Sequence, residues 1–475
     1  MRSGSGWAGR RWSVKYDGNT IKYDGLGRRG LRDRLKIPRL PGACVRYAPC
    51  RATPCLKQEA PLRSEDTTET ARSPVETVYF DNAATSFPKP EVVYQAMDSF
   101  ARQIGGSGGR SSHRRSLEAA EVIDGSRELI ARLLGAHSPE CICFGSNATD
   151  ALNLAIYGLA RPGSRIVTSV FEHNSVRRPV ADMRIRQGCQ VVAVPADRWG
   201  AWDPQVVIAA LNADTSLVVL SWASNVTGAV QAIEPVAQAC GERSIPLVVD
   251  GAQVCGSYPV NFRALGAAAL AFTGHKSLLG PQGTGGLVVD PEMAARLRPL
   301  KVGGSGSVSH SESQPDNLPD RFESGTLNGH GLSGLRAGAG FLLEHGLEPV
   351  RAHEMRLWRR FRDGLRDIEH VHAYGPDDAA HAVSIVSVTV DGMQPTDVGF
   401  LLDMQYGILT RTGLHCAPGA HAAICTLPTG TIRFAMGFAN TDADVDSALH
   451  ALAHIRERPR GCGAGTAPSG PVASA

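Results

Sequence analysis

Residues 246–289 read PLVVDGAQVCGSYPVNFRALGAAALAFTGHKSLLGPQGTGGLVV. Three short apolar runs in this stretch have the length and aliphatic composition of buried strands, and they lie at 246–250, 268–272 and 285–289. A polar or glycine-rich turn follows each of the first two runs, at the position where an open α/β sheet places its ligand-binding residues. The stretch therefore predicts buried strands with a functional site at their carboxyl ends.

The alternation of strands and helices continues towards the amino terminus. Three more apolar runs lie at 165–171, 190–195 and 216–222. Helical segments follow the second and third of these runs, at 203–213 and 233–243. This order is typical of a mostly parallel sheet that is covered by helices on both faces. We therefore predict an α/β fold.

A change of pattern after residue 333 marks a second, smaller unit. Two long helical segments come first. They are followed by a strand at 383–390, a helix at 396–405 and two further strands at 407–411 and 431–435. Because 475 residues exceed the usual length of one domain, two or three folded units are expected. We predict a large domain over residues 96–332 and a smaller C-terminal α/β domain over residues 333–458.

Composition and charge exclude several classes of protein. Hydrophobic residues make up 43% of the chain, which suits a globular fold. The sequence contains no uninterrupted run of about 18 apolar residues, the length that a membrane-spanning helix needs. Residues 1–74 hold 16 basic and 7 acidic side chains, whereas the rest of the chain holds 33 basic and 39 acidic ones. A mildly acidic body argues against nucleic-acid binding, which needs clustered positive charge.

The two ends of the chain differ from this body. Residues 1–74 lack both a sustained period and the apolar core of a secretory signal, so we expect a basic, disordered extension. Residues 75–95 are expected to pack on the small domain, and the Gly/Pro/Ala-rich residues 459–475 to form a disordered tail.

The cysteine pattern points to a reducing compartment. Eleven cysteines show no C-x-x-C spacing that would predict a zinc site, and we expect no metal. Cys141 and Cys143 fall in a short apolar run and are interpreted as core residues. The cytoplasm is the simplest location.

Covalent amine chemistry in the body can use only three lysines: Lys89, Lys276 and Lys301. Lys276 lies in AFTGHKSLLGPQGTGGL, residues 271–287, directly after a predicted strand and inside a glycine-rich turn. Glycines let a flat ring or a phosphate approach the backbone, and such a lysine suits a Schiff base to an aldehyde cofactor. A surface lysine in a loop is the alternative interpretation.

The segment around Lys276 resembles the pyridoxal-phosphate lysine motif of the class V aminotransferase superfamily, and the body from Tyr79 to about Thr441 resembles its cysteine desulfurase branch. The resemblance implies the pyridoxal-phosphate fold type I with a seven-stranded, mostly parallel sheet. It also implies pyridoxal 5'-phosphate as cofactor and a homodimer.

By this resemblance, residues after successive strands contact the cofactor ring. Asp250, in VVDGAQ, would pair with the pyridine nitrogen and hold the ring as an electron sink. Gln253 and Asn225 would contact the ring oxygen, with Asn225 also near the substrate. His173, in FEHN, would stack on the ring and relay protons.

The phosphate is expected at a helix start. GSNATDALN, residues 145–153, supplies small residues before an amphipathic helix, whose amino end attracts anions. The resemblance implies that the cofactor's phosphate is held by Ala148, Thr149, Thr273 and His275 and by Thr326 of a second subunit.

The substrate end is expected in LTRTGLHCAP, residues 409–418. An arginine grips a carboxylate through two parallel charge-assisted bonds, which makes Arg411 the expected clamp for an amino acid. Cys416 lies in a loop among polar residues and is the candidate nucleophile, with His415 or another cation raising its thiolate fraction. His113 resembles a further histidine that contacts the substrate.

The resemblance implies a cysteine desulfurase that converts L-cysteine to L-alanine and leaves the sulfur as a persulfide on Cys416. A sulfur-acceptor protein would then be a partner, as in iron-sulfur cluster assembly, although the sequence does not name the acceptor. A class V aminotransferase and a selenocysteine lyase stay open as alternatives, because their cofactor residues would be identical. A catalytically inactive scaffold that binds a partner through its basic head is the alternative from another class.

Overall fold

A computed structural model describes residues 77–109 and 111–456 in full, together with the backbone of two short strands near the amino terminus. These strands, β1 (Lys15–Tyr16) and β2 (Ile21–Lys22), pair in antiparallel fashion. The rest of the basic extension 1–74 and the tail 459–475, for which disorder was expected, lie outside the described residues. Within the described part of the chain, none of the helices has the length and hydropathy to cross a bilayer.

The main sheet has seven strands: β4 (Ile142–Gly145), β5 (Arg165–Ser169), β6 (Gln190–Val194), β7 (Thr215–Ser221), β8 (Leu247–Asp250), β9 (Ala269–Thr273) and β10 (Gly285–Val289). Their order is β4-β10-β9-β8-β7-β5-β6. Strands β5 to β9 are mutually parallel, whereas β10 runs antiparallel to both β9 and β4. The predicted mostly parallel seven-stranded sheet is confirmed.

Helices cover both faces of this sheet: α1 (Glu91–Ser99), α2 (Arg114–Leu134), α3 (Ala148–Leu159), α4 (Asn174–Gln187), α5 (Pro204–Ala210), α6 (Glu234–Glu242), α7 (Phe262–Leu265), α8 (Pro291–Arg296) and α9 (Gly329–His345). All seven residues of β7 are buried, as expected for a central strand covered on both faces, and its middle four residues, 217–220, are aliphatic. Two separate apolar clusters, one around Phe272 and one around Leu152, fill the two faces.

The second sheet is smaller and antiparallel. It comprises β11 (Val371–Tyr374), β12 (Ile385–Val390), β14 (Arg411–Gly413) and β15 (Thr431–Ala435), in the order β11-β12-β15-β14. Its helices are α10 (Leu347–Leu365), α11 (Pro395–Tyr406), α12 (Pro418–Ala423) and α13 (Asp442–His454). A separate core that includes Trp358, Phe361 and Phe434 confirms a C-terminal domain with its own sheet.

The segment that precedes α1 contacts both sheets. Strand β3 (Val78–Tyr79) pairs in parallel with β13 (Ile408–Leu409), and Phe80 is fully buried in the core of the small domain. A few residues further on, the backbone N–H of Ser86 donates to the carbonyl of His275 at 2.9 Å, next to the turn after β9. This segment therefore ties the small sheet to the carboxyl end of the large one.

A buried acid on α10 generates a pH-dependent prediction. Glu354 accepts a hydrogen bond from Ser384 Oγ at 3.2 Å, and burial raises its pKa from 4.5 to about 8. Its protonated form therefore contributes stability that is complete below pH 4.5 and is lost as the pH rises through about 8. Between pH 6 and pH 9 the wild type should lose on the order of 2 kcal/mol of unfolding free energy that Glu354→Gln keeps.

Urea titrations of both proteins at the two pH values measure this difference. Glu348→Gln, which removes an exposed carboxylate from the same helix, is the matched control and should follow the wild type. Parallel pH profiles for wild type and Glu354→Gln would refute the assignment.

Candidate active site

A cavity of about 350 Å³ opens at the carboxyl ends of the parallel strands, where the Cys416 segment meets them. Eleven of the thirteen predicted site residues line it: Ala148, Thr149, His173, Asn225, Asp250, Gln253, Thr273, His275, Lys276, Arg411 and Cys416. Widely separated sequence motifs are thus brought together in one place.

Lys276 lies in the tight turn that follows β9. The turn is held by backbone hydrogen bonds from Gly274 to Thr284 and from Gly280 back to Gly274, both of 2.8 Å. A Cβ atom on Gly274 would lie 2.1 Å from Thr284 Oγ1, so the close approach requires glycine. Burial, opposed by the charge of Asp250, lowers the pKa of Lys276 to about 8. A minor fraction of the amine is therefore neutral at pH 7, far more than for an ordinary lysine.

Asp250 ends β8 and places a buried carboxylate in the cavity. Its Oδ1 accepts a hydrogen bond from the backbone N–H of Ala252 at 3.0 Å. Burial raises the pKa of Asp250, while this N–H and the ammonium of Lys276 act against the rise. Close by, Gln253 Nε2 donates to the carbonyl of Ala83 at 3.2 Å. A buried carboxylate with so few donors favours a cationic partner.

His173 caps the amino end of α4. Its Nδ1 accepts the backbone N–H of Ser175 at 3.1 Å, which leaves the proton of the neutral ring on Nε2. Burial, together with the charges of Lys276 and Arg411, lowers the pKa of His173 to about 4. The ring is therefore neutral at physiological pH.

Glu172, which the sequence reasoning did not single out, anchors this turn. Its carboxylate accepts hydrogen bonds from Ser169 Oγ at 2.6 Å and from the backbone N–H and Oγ of Ser221 at 2.9 and 2.6 Å. Burial raises its pKa to about 7. By joining the ends of β5 and β7, Glu172 fixes the turn that carries His173. The only signal in the sequence was an acidic residue directly before the candidate histidine, in FEHN.

An anion site is formed at the start of α3. The backbone N–H groups of Ala148 and Thr149 belong to the first turn, where a helix has no acceptor for them. In the described part of the chain, Thr273 Oγ1 and His275 Nδ1 are buried without a hydrogen-bond partner. Buried polar atoms of this kind favour a bound partner. Together, these groups fit a phosphate.

Cys416 is exposed and lies in a strained turn. His415 and Cys416 have φ angles of +46° and +58°. Each residue in this conformation costs about 1–3 kcal/mol, so it persists only where the surrounding structure holds it. Here Asn225 Nδ2 donates to the carbonyl of His415 at 2.7 Å, and the backbone N–H of Asn174 donates to that of Cys416 at 2.8 Å. The turn is therefore fixed from both sides.

A guanidinium lies beside the sulfur, since Arg411 Nη2 is 3.8 Å from Cys416 Sγ. The suggested role of His415 is not supported, because burial and the charge of Arg433 lower its pKa to about 2. His415 is neutral and its Nε2 is 3.0 Å from Thr431 Oγ1. It therefore supplies no positive charge to the thiol.

Arg433 was missed by the sequence reasoning. It is almost fully buried on β15 and lines the cavity. Its Nη2 donates to Asp81 Oδ1 at 2.8 Å, and its Nη1 donates to the carbonyl of Asn225 at 3.0 Å. Its Nε has no hydrogen-bond partner among the described residues. A single charged residue in the apolar strand TIRFA was the only signal.

Two predicted residues lie outside the cavity of this chain. His113 is exposed and caps α2, with Nδ1 accepting the backbone N–H of Ser116 at 3.2 Å. Thr326 is also exposed, and its expected role was in the site of a second subunit. No cluster of three or more potential metal-binding side chains occurs among residues 77–109 and 111–456.

Comparisons with known proteins identify the family of the chain. Residues 78–448 match the family model for class-V aminotransferases. A probable cysteine desulfurase from Methanothermobacter thermautotrophicus is 32% identical over 81% of this chain and 96% of its own length. Another from Pyrococcus abyssi is 32% identical over 80% of this chain and 94% of its own length.

Solved structures show the same likeness. The apo structure of a cysteine desulfurase from Thermococcus onnurineus superposes with a TM-score of 0.75 at 32% identity, covering 80% of this chain and 94% of that one. The cysteine desulfurase CsdA (S-sulfonic acid) from Escherichia coli gives a TM-score of 0.71 at 27% identity, covering 79% and 94%. The chain therefore belongs to the cysteine desulfurase family of the class-V aminotransferases.

Proposed function

We propose that the protein is a cysteine desulfurase that removes the sulfur of L-cysteine, releases L-alanine and holds the sulfur as a persulfide on Cys416. One observation carries the proposal. The exposed thiol of Cys416 and the amine of Lys276 line the same cavity, and a guanidinium lies beside the thiol. An amine and a nucleophilic sulfur in one cavity suit an amino acid whose side chain is itself a thiol.

The residues present fit pyridoxal phosphate. The phosphate of the cofactor would be held by Thr273, by His275 and by the first amides of α3. Its ring nitrogen would pair with Asp250, and its aldehyde carbon would bind Lys276. Gln253 and Asn225 would contact the ring oxygen and the neutral ring of His173 would lie on its face. When bound, the cofactor supplies a carbonyl for the substrate amine and a ring that withdraws electrons from the substrate's Cα.

The arginines would orient the substrate. Arg411 and Arg433 both line the cavity, and the buried Nε of Arg433 has no partner among the described residues, so the two side chains offer donors to an amino-acid carboxylate. The neutral fraction of Lys276 would accept the proton from Cα, because its lowered pKa of about 8 lies close to physiological pH. These residues keep the carboxylate, the amine and the reacting proton at fixed positions.

Cys416 would perform the sulfur transfer. Its thiolate attacks the substrate sulfur, so that a new S–S bond forms while the substrate's C–S bond breaks. The electron pair of the broken bond stays with the carbon skeleton, which is protonated and leaves as alanine. The sulfur stays on Cys416 until a thiol of an acceptor removes it. Exposure of Cys416 suits such an acceptor.

A selenocysteine lyase or an aminotransferase of the same family would use the same cofactor residues. The thiol of Cys416 beside Arg411 favours sulfur chemistry over transamination, which needs no thiol. An inactive scaffold would not need a buried lysine beside unpaired polar atoms. We therefore keep the desulfurase as the first candidate.

The assembly and location belong to the same proposal. A homodimer would bring Thr326 of a second copy to the phosphate, which is consistent with its exposed position outside this chain's own cavity. All seven cysteines of the described residues are free, which is consistent with a reducing cytoplasm.

Replacement of the nucleophile tests the sulfur transfer. Cys416→Ala should keep the visible absorbance of bound pyridoxal phosphate and lose at least about 99% of alanine release from L-cysteine, because no thiolate remains to attack the sulfur. Cys425→Ala is the matched control, since it removes the other exposed cysteine of the described residues, nine positions away. Alanine and sulfide are measured together. Full activity of Cys416→Ala would show that another group takes the sulfur.

Replacement of the lysine tests the cofactor site. After borohydride reduction, peptide mass spectrometry should find pyridoxal phosphate attached to Lys276 in the wild type and to no peptide in Lys276→Ala. Lys89→Ala is the matched control, because burial lowers the pKa of Lys89 to about 8 as well, although that side chain does not line the cavity. Attachment at Lys89 or turnover by Lys276→Ala at the wild-type rate would overturn the assignment.

Replacement of the buried arginine tests substrate binding. Arg433→Lys keeps the charge next to Asp81 but loses the forked donor geometry, so the KM for L-cysteine should rise about 10- to 100-fold, with a smaller change in kcat. Steady-state kinetics at saturating cofactor separate the two constants. An unchanged KM would remove Arg433 from the binding site.

A further inference from the structure

A second cavity, of about 550 Å³, lies between β5, β6, α4 and α12. None of its lining residues lines the catalytic cavity. Most of its wall is apolar and includes Val170, Val180, Val191, Ala193, Pro195 and Ala422. Its volume is in the range of sites that hold small organic molecules.

The polar groups of this cavity carry a single sign of charge. Arg177 and Arg184 contribute guanidinium groups, Thr168 and Ser169 contribute hydroxyl groups, and no aspartate or glutamate lines the wall. A ligand that enters here meets positive charge without a competing carboxylate. An anionic group is therefore favoured.

Two buried polar atoms of this wall are unsatisfied. Arg177 Nη1 and Thr168 Oγ1 are both buried and have no hydrogen-bond partner within the described part of the chain. Thr168 is only 4% exposed, so solvent does not satisfy its hydroxyl from outside. Leaving a buried donor without an acceptor is costly, and the oxygens of an anionic group would offer an acceptor to each.

We propose that this cavity is a binding site for a small organic anion with an apolar body. The anionic group would accept hydrogen bonds from Arg177 and Thr168, while the apolar body would contact the valines and alanines of β6, α4 and α12. This assignment stands on the geometry of the cavity and does not depend on the reaction at Cys416.

The site adjoins the segment of the nucleophile. A Cβ atom on Gly419 would lie 2.7 Å from Arg177 Nη1, so the guanidinium lies directly against α12, which begins two residues after Cys416. The helix that carries Arg177 also contacts this turn, because the N–H of Asn174 at the start of α4 donates to the carbonyl of Cys416. A bound anion would thus contact both helices that flank the turn of Cys416.

The test uses the protein loaded with pyridoxal phosphate and the probe 1-anilinonaphthalene-8-sulfonate, an apolar body with one anionic group. Isothermal titration should show one site in the wild type. Ala193→Trp should abolish it, because an indole at this exposed wall position fills the cavity without entering the core. Arg177→Met should weaken binding about tenfold or more through loss of a charge-assisted hydrogen bond.

Arg178→Met is the matched control. It removes the same charge from the next residue of α4, which is exposed and does not line the cavity, and should bind the probe as the wild type does. Thermal unfolding of every variant checks that the fold is retained. Absence of binding to the wild type, undiminished binding to Ala193→Trp, or equal losses in Arg177→Met and Arg178→Met would each overturn the proposal.

Discussion

The parallel pairing of β7, β8 and β9 is the constraint on which the site depends. In this register Ser221 lies opposite Asp250, and Asp250 lies opposite Ala271, so each strand delivers its carboxyl end to the same edge of the sheet. Acid, amine and the Glu172 network meet there because the strands point the same way. At this edge burial shifts pKa values in opposite senses, upward for Asp250 and downward for Lys276. The opposite shifts of a neighbouring acid and amine therefore follow from their placement at one buried edge.

Much of this arrangement could be predicted from the sequence. The six strands from β5 to β10 fall close to their predicted positions because each is a buried aliphatic run between turn residues. The motifs that line the cavity were identifiable because each follows such a run. Local pattern therefore located both the sheet and the edge at which the chemistry is concentrated.

The features that sequence could not supply depend on distant contacts. Arg433 is held by Asp81 and Asn225, which are hundreds of residues away in the chain, so its strand gives no local motif. Glu172 becomes a link only because Ser221 ends a neighbouring strand. The neutrality of His415 arises from burial, which no spacing rule reports. The antiparallel direction of β10 likewise depends on its pairing with β4 and β9.

The left-handed backbone at His415 and Cys416 has a consequence for how this thiol is aimed. Two consecutive residues in that conformation leave the main chain few alternatives as long as Asn174 and Asn225 hold their carbonyls. Glycine in place of His415 would remove the backbone strain at that residue, yet it would also widen the range of positions that the sulfur can occupy. The strained backbone of this turn thus restricts the direction in which the Cys416 sulfur points.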